Sequence, residues 1–195
     1  MFNVMLDRLP TEYNGYPINS DFRIGIQIFQ AISDSELSEM EKMSKACELL
    51  FDVDGVTEYP DMSTMQEGVQ WFLSDWYTDN PVKGREESKK DMDYDVDQWR
   101  IFSAFLTQFG INLNTADMHF WVFMGLLSTL EECAFTRIVD IRTKKIDPKM
   151  KPSDKEELRK VKERYALEQV EEQMTPQEKA DYDAFMKYAK KGGKK

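Results

Sequence analysis

Apolar residues recur every three or four positions through most of the chain, the spacing that gathers them on one face of an α-helix. In residues 20–32 the stripe is Phe22, Ile26 and Phe29. Residues 33–51 begin with Ser33 and Glu36, the spacing of a capping box, and continue with Met40, Met43, Cys47 and Leu50. Residues 63–77 repeat the device, with Ser63 and Gln66 ahead of Met65, Val69, Phe72 and Trp76. Residues 94–110 align Trp99, Phe102, Leu106 and Phe109 and stop at Gly110, a favourable left-handed terminator. From Met118 to Leu127 the chain is apolar nearly all round, which predicts a central buried helix. A shorter helix over 135–145 ends before Pro148.

Two charged helices are predicted beyond it. One opens with the Ser153 and Glu156 pair, the other with Thr175 as cap, Pro176 at the first helical position and Glu178. The second has a thin apolar face of Tyr182, Phe185, Met186 and Ala189. Only the first twenty residues read as extended: Asn14-Gly15 is a two-residue hairpin signal between "NVML" and "YPI", a ribbon too small to be stable unless it lies on something larger. The polar stretch 78–93 is the best internal boundary and the most mobile segment expected from composition. The expectation is a mainly α fold: a hairpin plus helical core over residues 1–147, then a charged, partly flexible helical region over 148–195. No internal repeat is present.

With 195 residues the chain is long enough for one domain with a substantial core. The two cysteines, Cys47 and Cys133, fall within apolar helical patterns and read as thiols in a reducing cytoplasm, not as a disulfide framework. No stretch has the length and apolarity of a membrane span, and "MFNVMLDRLP" lacks the basic flank and apolar core of a signal peptide. The net charge of −10 is uneven: residues 1–143 hold 11 basic and 25 acidic residues, residues 144–195 hold 15 and 11. An acidic body argues against nucleic acid as partner, since phosphate contacts supply most of that affinity. The same imbalance weighs against reading "QWFLSDWY" and "HFWVFM" as base-stacking platforms, which need a cationic groove.

Three patterns raise catalytic or metal chemistry. "LLFDVDGV" resembles the nucleophile loop of a haloacid-dehalogenase-like phosphatase, with Asp52 attacking phosphorus and Asp54 moving the proton. That chemistry needs Asp52 at the end of a buried parallel strand. The preceding "SKACELL" holds no β-branched residue and keeps helical spacing, so a helix end followed by an Asp-Gly turn is the better account. Asp91, Asp93 and Asp95 follow the first spacings of a calcium loop, but Val96 and Phe102 stand where its glycine and bidentate glutamate belong. Asp93, Asp95 and Asp97 instead suit a helix N-terminus, whose free N–H groups favour negative charge. The single histidine, His119, has no nucleophile or second ligand marked near it and reads as a satisfied, half-buried imidazole. No catalytic residue, cofactor or metal site is expected. The surplus lies in aromatic and methionine surface: Trp71, Trp76 and Tyr77 occupy more than one face of a short helix, so some of them are candidates to cover a partner.

The order of segments resembles the bacteriophage gp-fifteen family of long-tailed phages of Gram-positive hosts. "LPTEYNGYPINSDFR", "YDVDQWRIFSAFLTQFGINL", "MHFWVFMGLLSTL", and "FTRIVDIRTKK" with "ERYAL" carry the resemblance, in order across roughly residues 6–167. It implies a mainly helical tail assembly chaperone with no enzymatic activity, encoded beside the tape measure gene. Such a protein binds the tape measure protein in the host cytoplasm, assists tail tube assembly and is left out of the mature virion. Further partners implied are the major tail protein and a longer, frameshifted form of the chain itself; the closing "AKKGGKK" is compatible with a slippery run in the gene. Relatives favour a tryptophan pair where this chain has Phe120-Trp121, so Trp121 alone carries over, and the stretch after Leu167 is longer than the family leads one to expect.

The contact residues expected from these readings are Trp71, Trp76, Tyr77, Trp121, Tyr182, Phe185 and Met186, taking a helix in an apolar groove. Twelve methionines suit such an adaptable surface. Self-association through the same stripes, giving a homo-oligomer, is a further expectation. The rival functions are a minor structural tail protein and the phosphatase using Asp52 and Asp54.

Overall fold

The computed structural model describes residues 2–55, 58–76 and 91–167. Tyr77, Tyr182, Phe185 and Met186, most of the 78–93 loop and the closing helix expected from Thr175 lie outside them. Among the described residues the chain forms a two-stranded ribbon, β1 (Glu12–Tyr13) and β2 (Tyr16–Pro17), followed by seven helices: α1 (Phe22–Ser33), α2 (Glu39–Phe51), α3 (Met62–Ser74), α4 (Gln98–Phe109), α5 (Phe120–Ser128), α6 (Ala134–Thr143) and α7 (Pro152–Tyr165). The fold is mainly α, as the spacing predicts.

The ribbon turns at Asn14-Gly15, whose φ angles of 49° and 85° are the positive pair that a tight primed hairpin turn requires. Its first strand is Glu12–Tyr13 and not "NVML"; residues 4–6 form a turn, with the Leu6 and Asp7 amides both donating to the Asn3 carbonyl. The ribbon does lie on a larger body. Tyr13 packs against Trp71 of α3 at 5.0 Å, and the Ile18 amide donates to the Thr11 carbonyl. Asn19 then covers the end of α2, its backbone N–H donating to Leu50 and its Nδ2 to the carbonyl of Asp52. Those carbonyls are among the four that every helix leaves unpaired at its C-terminus.

The core is aromatic. Phe22 of α1, Phe123 of α5 and Phe105 of α4 stack in a column, successive rings 5.1 Å apart, while Phe72 of α3 meets Phe120 at 5.0 Å. Helices α1 and α5 approach so closely at Gly25 that a methyl group there would overlap the Phe120 ring. α5 is shorter than its apolar run: Phe120, Trp121 and Phe123 are buried, whereas Met124, Leu126 and Leu127 are half-buried.

Several helix starts differ from those read off the spacing. Ser33 is the last residue of α1, and the capping box is made one turn later by Ser38 and Glu41. α3 is capped by Asp61, which accepts from the Thr64 amide, and not by Ser63. α7 starts on Pro152 with Lys151 ahead of it, so Ser153 is already inside the helix. On α4 the buried face is Ile101, Ala104 and Phe105; Trp99 points out of the core, 72% exposed.

Asp97 decides that rotation. It is fully buried at the head of α4 and takes a two-pronged ion pair from Arg142 of α6, with Nη1 at 2.6 Å and Nη2 at 3.2 Å. Arg100 adds a third donor at 2.9 Å, and the Asp93 amide donates from the preceding turn. Residues four and eight beyond Asp97 share its side of the helix, which turns Ile101 and Phe105 inward and Trp99 outward. Arg142 also donates through Nε to the Tyr165 carbonyl and through Nη1 to the Asp91 carbonyl. Lys162 of α7 reaches back to the carbonyls of Arg142 and Lys144 at the end of α6. α7 has no fully buried residue; these polar contacts help seat it alongside the half-buried Leu158, Val161 and Tyr165.

Removing Asp97 leaves the buried Arg142 guanidinium without its counter-charge, a loss of about 3–5 kcal/mol, whereas removing Arg142 leaves Asp97 paired with Arg100 alone, and an apolar replacement of Asp97 and Arg142 together is milder. Asp97→Ala is therefore expected to lower unfolding stability by about that amount, and Arg142→Ala by less. The double variant Asp97→Leu with Arg142→Met should recover most of it in denaturant titrations. Gly25→Ala is expected to destabilise by about 1–3 kcal/mol through overpacking against Phe120.

Candidate partner-binding groove

Three of the four tryptophans are turned towards the core. Trp121 is 5% exposed, donates its indole N–H to the Phe72 carbonyl at 2.8 Å, and is covered by Phe2 edge-on at 5.1 Å. Trp71 packs edge-on against Trp121 at 5.1 Å with Tyr13 on its other side, and Trp76 lies half-buried against the same core. The structure thus brings Trp71 and Trp121 together as packing residues beside the N-terminal ribbon, with Trp76 half-buried against the core.

His119 ties that cluster to the ribbon. It caps α5, its Nδ1 accepting from the Trp121 amide at 3.0 Å while its Nε2 faces the Pro10 carbonyl at 2.8 Å. An acceptor on one nitrogen and a donor on the other define the neutral Nε2–H tautomer. Burial holds the imidazole below its ordinary range, opposed by the weaker pull of the Pro10 carbonyl. The half-buried, satisfied histidine expected from the sequence is what stands here.

The acidic positions that suggested chemistry sit at a helix end and in turns, Asp52, Asp93 and Asp95 with hydrogen-bond partners. Asp52 follows the last turn of a helix; Asp54-Gly55 make a turn with Gly55 at φ 84°. The Asp52 carboxylate accepts from the Tyr59 hydroxyl at 3.2 Å, and that contact raises the Tyr59 phenol above its usual range. Asp93 accepts from the amides of Asp95 and Val96, and Asp95 accepts from Gln30 of α1. Among the described residues the two strands form an antiparallel pair, so no parallel strand stands before Asp52 there.

The apolar surface left open is elsewhere. Between α1, the turn before α4, and α4 itself runs a groove of about 390 Å³. Its floor is Phe22, Ile101 and Phe123; its sides are Ile26, Tyr94, Phe102 and Leu113; Trp99 stands on its rim, edge-on to Phe102 at 5.7 Å. Among the described residues Asp95 is the one acidic side chain lining it, with Gln30, Gln98 and Asn114 as the neutral polar rim. Tyr94 is half-buried with its hydroxyl towards the Met124 sulfur, and its removal from water drives the phenol strongly upward. Arg23 braces the far end: its guanidinium donates to the carbonyls of Leu113 and Ala116 and pairs with Asp21. Trp99 and Phe102 were missed as contact residues because they form a regular apolar stripe, which reads as core. The clue was Asp97, two residues before Trp99 and on the opposite side of the helix.

The family of this chain follows from a match over residues 5–167 to the family described as Bacteriophage Gp15 protein. The chain belongs to that family. It is thereby a bacteriophage protein, and the match covers every described helix. No curated protein and no solved structure matches it. Among the described residues no helix is long and apolar enough to cross a membrane.

The neutral histidine has a measurable consequence. Its folded-state pKa lies below the unfolded value near 6.5, so between the two the unfolded chain holds more protons. Stability is therefore complete above that value and falls as pH drops through it. His119→Asn keeps a capping acceptor without a titrating group, and should flatten the stability profile between about pH 7 and pH 5, above the range where carboxylates titrate. An unchanged slope would show that His119 is not its source.

Proposed function

We propose that this chain is a tail assembly chaperone that holds the tape measure protein soluble while the tail tube forms around it. It would act in the host cytoplasm and leave no copy in the finished particle. The observation that supports the reading is the groove between α1 and α4: an open trough with an aromatic floor and Trp99 on its rim, in a member of a phage family. Long helical proteins aggregate through their apolar stripes, and a trough lined by apolar side chains with a polar rim is the shape that takes such a stripe. Trp99 is the natural anchor, since exposed tryptophans that become buried on binding commonly dominate interface energies. Affinity per site can stay modest, because many copies along one long chain add up.

The groove, and not the Trp71–Trp121 cluster, is the contact surface in this proposal. Catalysis plays no part in it.

Co-expression with a tape measure fragment that is insoluble alone is the test. The fragment is expected to stay in the supernatant with the intact chain and to precipitate with Trp99→Asp or Phe102→Asp. Trp99→Asp should leave unfolding stability within about 0.5 kcal/mol, because the side chain is outside the core. Equal precipitation with and without the chain would remove the reading, and so would finding the protein in purified virions by mass spectrometry.

A further inference from the structure

We infer that the helix taken by the α1–α4 groove carries a lysine or arginine at one end of its apolar stripe, set against Asp95, so that the site selects its occupant by charge as well as by apolarity. That this occupant is a client to be kept soluble rests on the chaperone reading above; the charge preference rests on the geometry of the groove.

The trough has two unlike ends. Phe22, Ile26 and Gln30 follow one another every fourth residue along α1, which gives that wall a length of about 12 Å. Gln30 marks one end, where its Nε2 donates to Asp95 Oδ1 at 2.7 Å. At the other end Arg23 donates to the carbonyls of Leu113 and Asn114 at 2.8 and 3.3 Å, and its charge is met by Asp21 at 3.1 Å. Leu113 and Asn114 therefore give that end a neutral lining, and the acid stands at the Gln30 end alone.

Asp95 is also placed differently from the acids around it. Asp97 is held by Arg142 and Arg100, and Asp21 by Arg23. Among the described residues Asp95 is exposed, has the neutral Gln30 amide as its side-chain partner and pairs with no cation. Nor does any lysine, arginine or histidine line the trough among them. A helix lying on Phe22, Ile101 and Phe123 brings the residue that borders its stripe towards Asp95 at this end. A cation there is attracted and a carboxylate repelled, while the apolar floor binds either helix alike. Affinity thus comes from the stripe and choice from the acid. A second copy of the chain is the poorer fit, because residues 1–143 hold 11 basic and 25 acidic residues and two such bodies repel each other.

The probes are two synthetic amphipathic helical peptides with the same leucine stripe, one with lysine beside its end and one with glutamine there, titrated into the full-length chain by calorimetry. The lysine peptide is expected to bind more tightly, and both should lose binding in Trp99→Asp. Asp95→Asn keeps the shape of the rim and should weaken the lysine peptide about two- to fivefold, the range of an exposed ion pair, without moving the glutamine peptide. Asp95→Lys should weaken it further. Glu67→Lys makes the same change of charge at an exposed position of α3 outside the trough and should leave the preference in place. Equal binding of the two peptides, a preference that survives both Asp95 substitutions, or one that Glu67→Lys removes to the same extent would overturn the inference. So would a Trp99-dependent dimer that excludes both peptides, since a second copy would then fill the trough. A chain that shows the Asp95-dependent preference yet leaves a tape measure fragment insoluble keeps the charge selection and loses the chaperone reading. A chain that solubilises the fragment without the preference loses this inference alone.

Discussion

A buried carboxylate facing a buried guanidinium is the constraint on which the rest of this fold turns. Asp97 has no exposed surface and Arg142 only 7% of its side chain in contact with solvent. Each is costly there without the other, because a charge removed from water needs close partners, and Arg100 is the one further cation at Asp97 among the described residues. Their pairing sets the rotation of α4 and thereby decides which of its two apolar stripes is covered. It also anchors α6 against α4 and, through the Tyr165 carbonyl, receives the end of α7. One interaction therefore links the packing of the core, the opening of the groove and the point from which the C-terminal stretch departs.

The aromatic core performs a different task. Stacked rings from α1, α4 and α5, and the Trp71–Trp121 cluster under the ribbon, supply the apolar burial that makes the fold stable without specifying where a partner sits. His119 and Trp121 satisfy each other's polar groups and those of Pro10 and Phe72, which fixes the cluster in place. Among the described residues an apolar trough also opens on the α1–α4 side, with Trp99 on its rim and Phe102 in its wall. A member of the Bacteriophage Gp15 protein family thus keeps most of its tryptophan inside and one outside, and the proposed role in tail assembly is assigned to the one outside.

The helical stripes were legible in the sequence because a 3.6-residue period leaves few other ways to bury Val69, Phe72, Cys47 or Leu50. Gly110 and Asn14-Gly15 were legible for a local reason, since their positive φ angles suit few other residues. Cap positions were less so: Ser33 with Glu36 and Ser38 with Glu41 have the same spacing, and only the packing of α1 through Ser33 separates them. α4 offered two apolar faces, and periodicity could not choose between them. The choice came from a pairing 45 residues distant in sequence, which no local pattern encodes. Trp71 was a contact candidate because the aromatics of its helix occupy more than one face, and Trp121 because the family resemblance carries it over, whereas Tyr13 and Phe2 pack against them.

Amide hydrogen exchange in the intact chain and in Arg142→Leu tests the central constraint most directly. The account predicts that the variant loses protection in α7 and in the first turns of α4, where Arg142 joins them, while α1 and α5 keep theirs. Protection of α7 and the head of α4 unchanged by the substitution, or lost evenly across every helix, would contradict it.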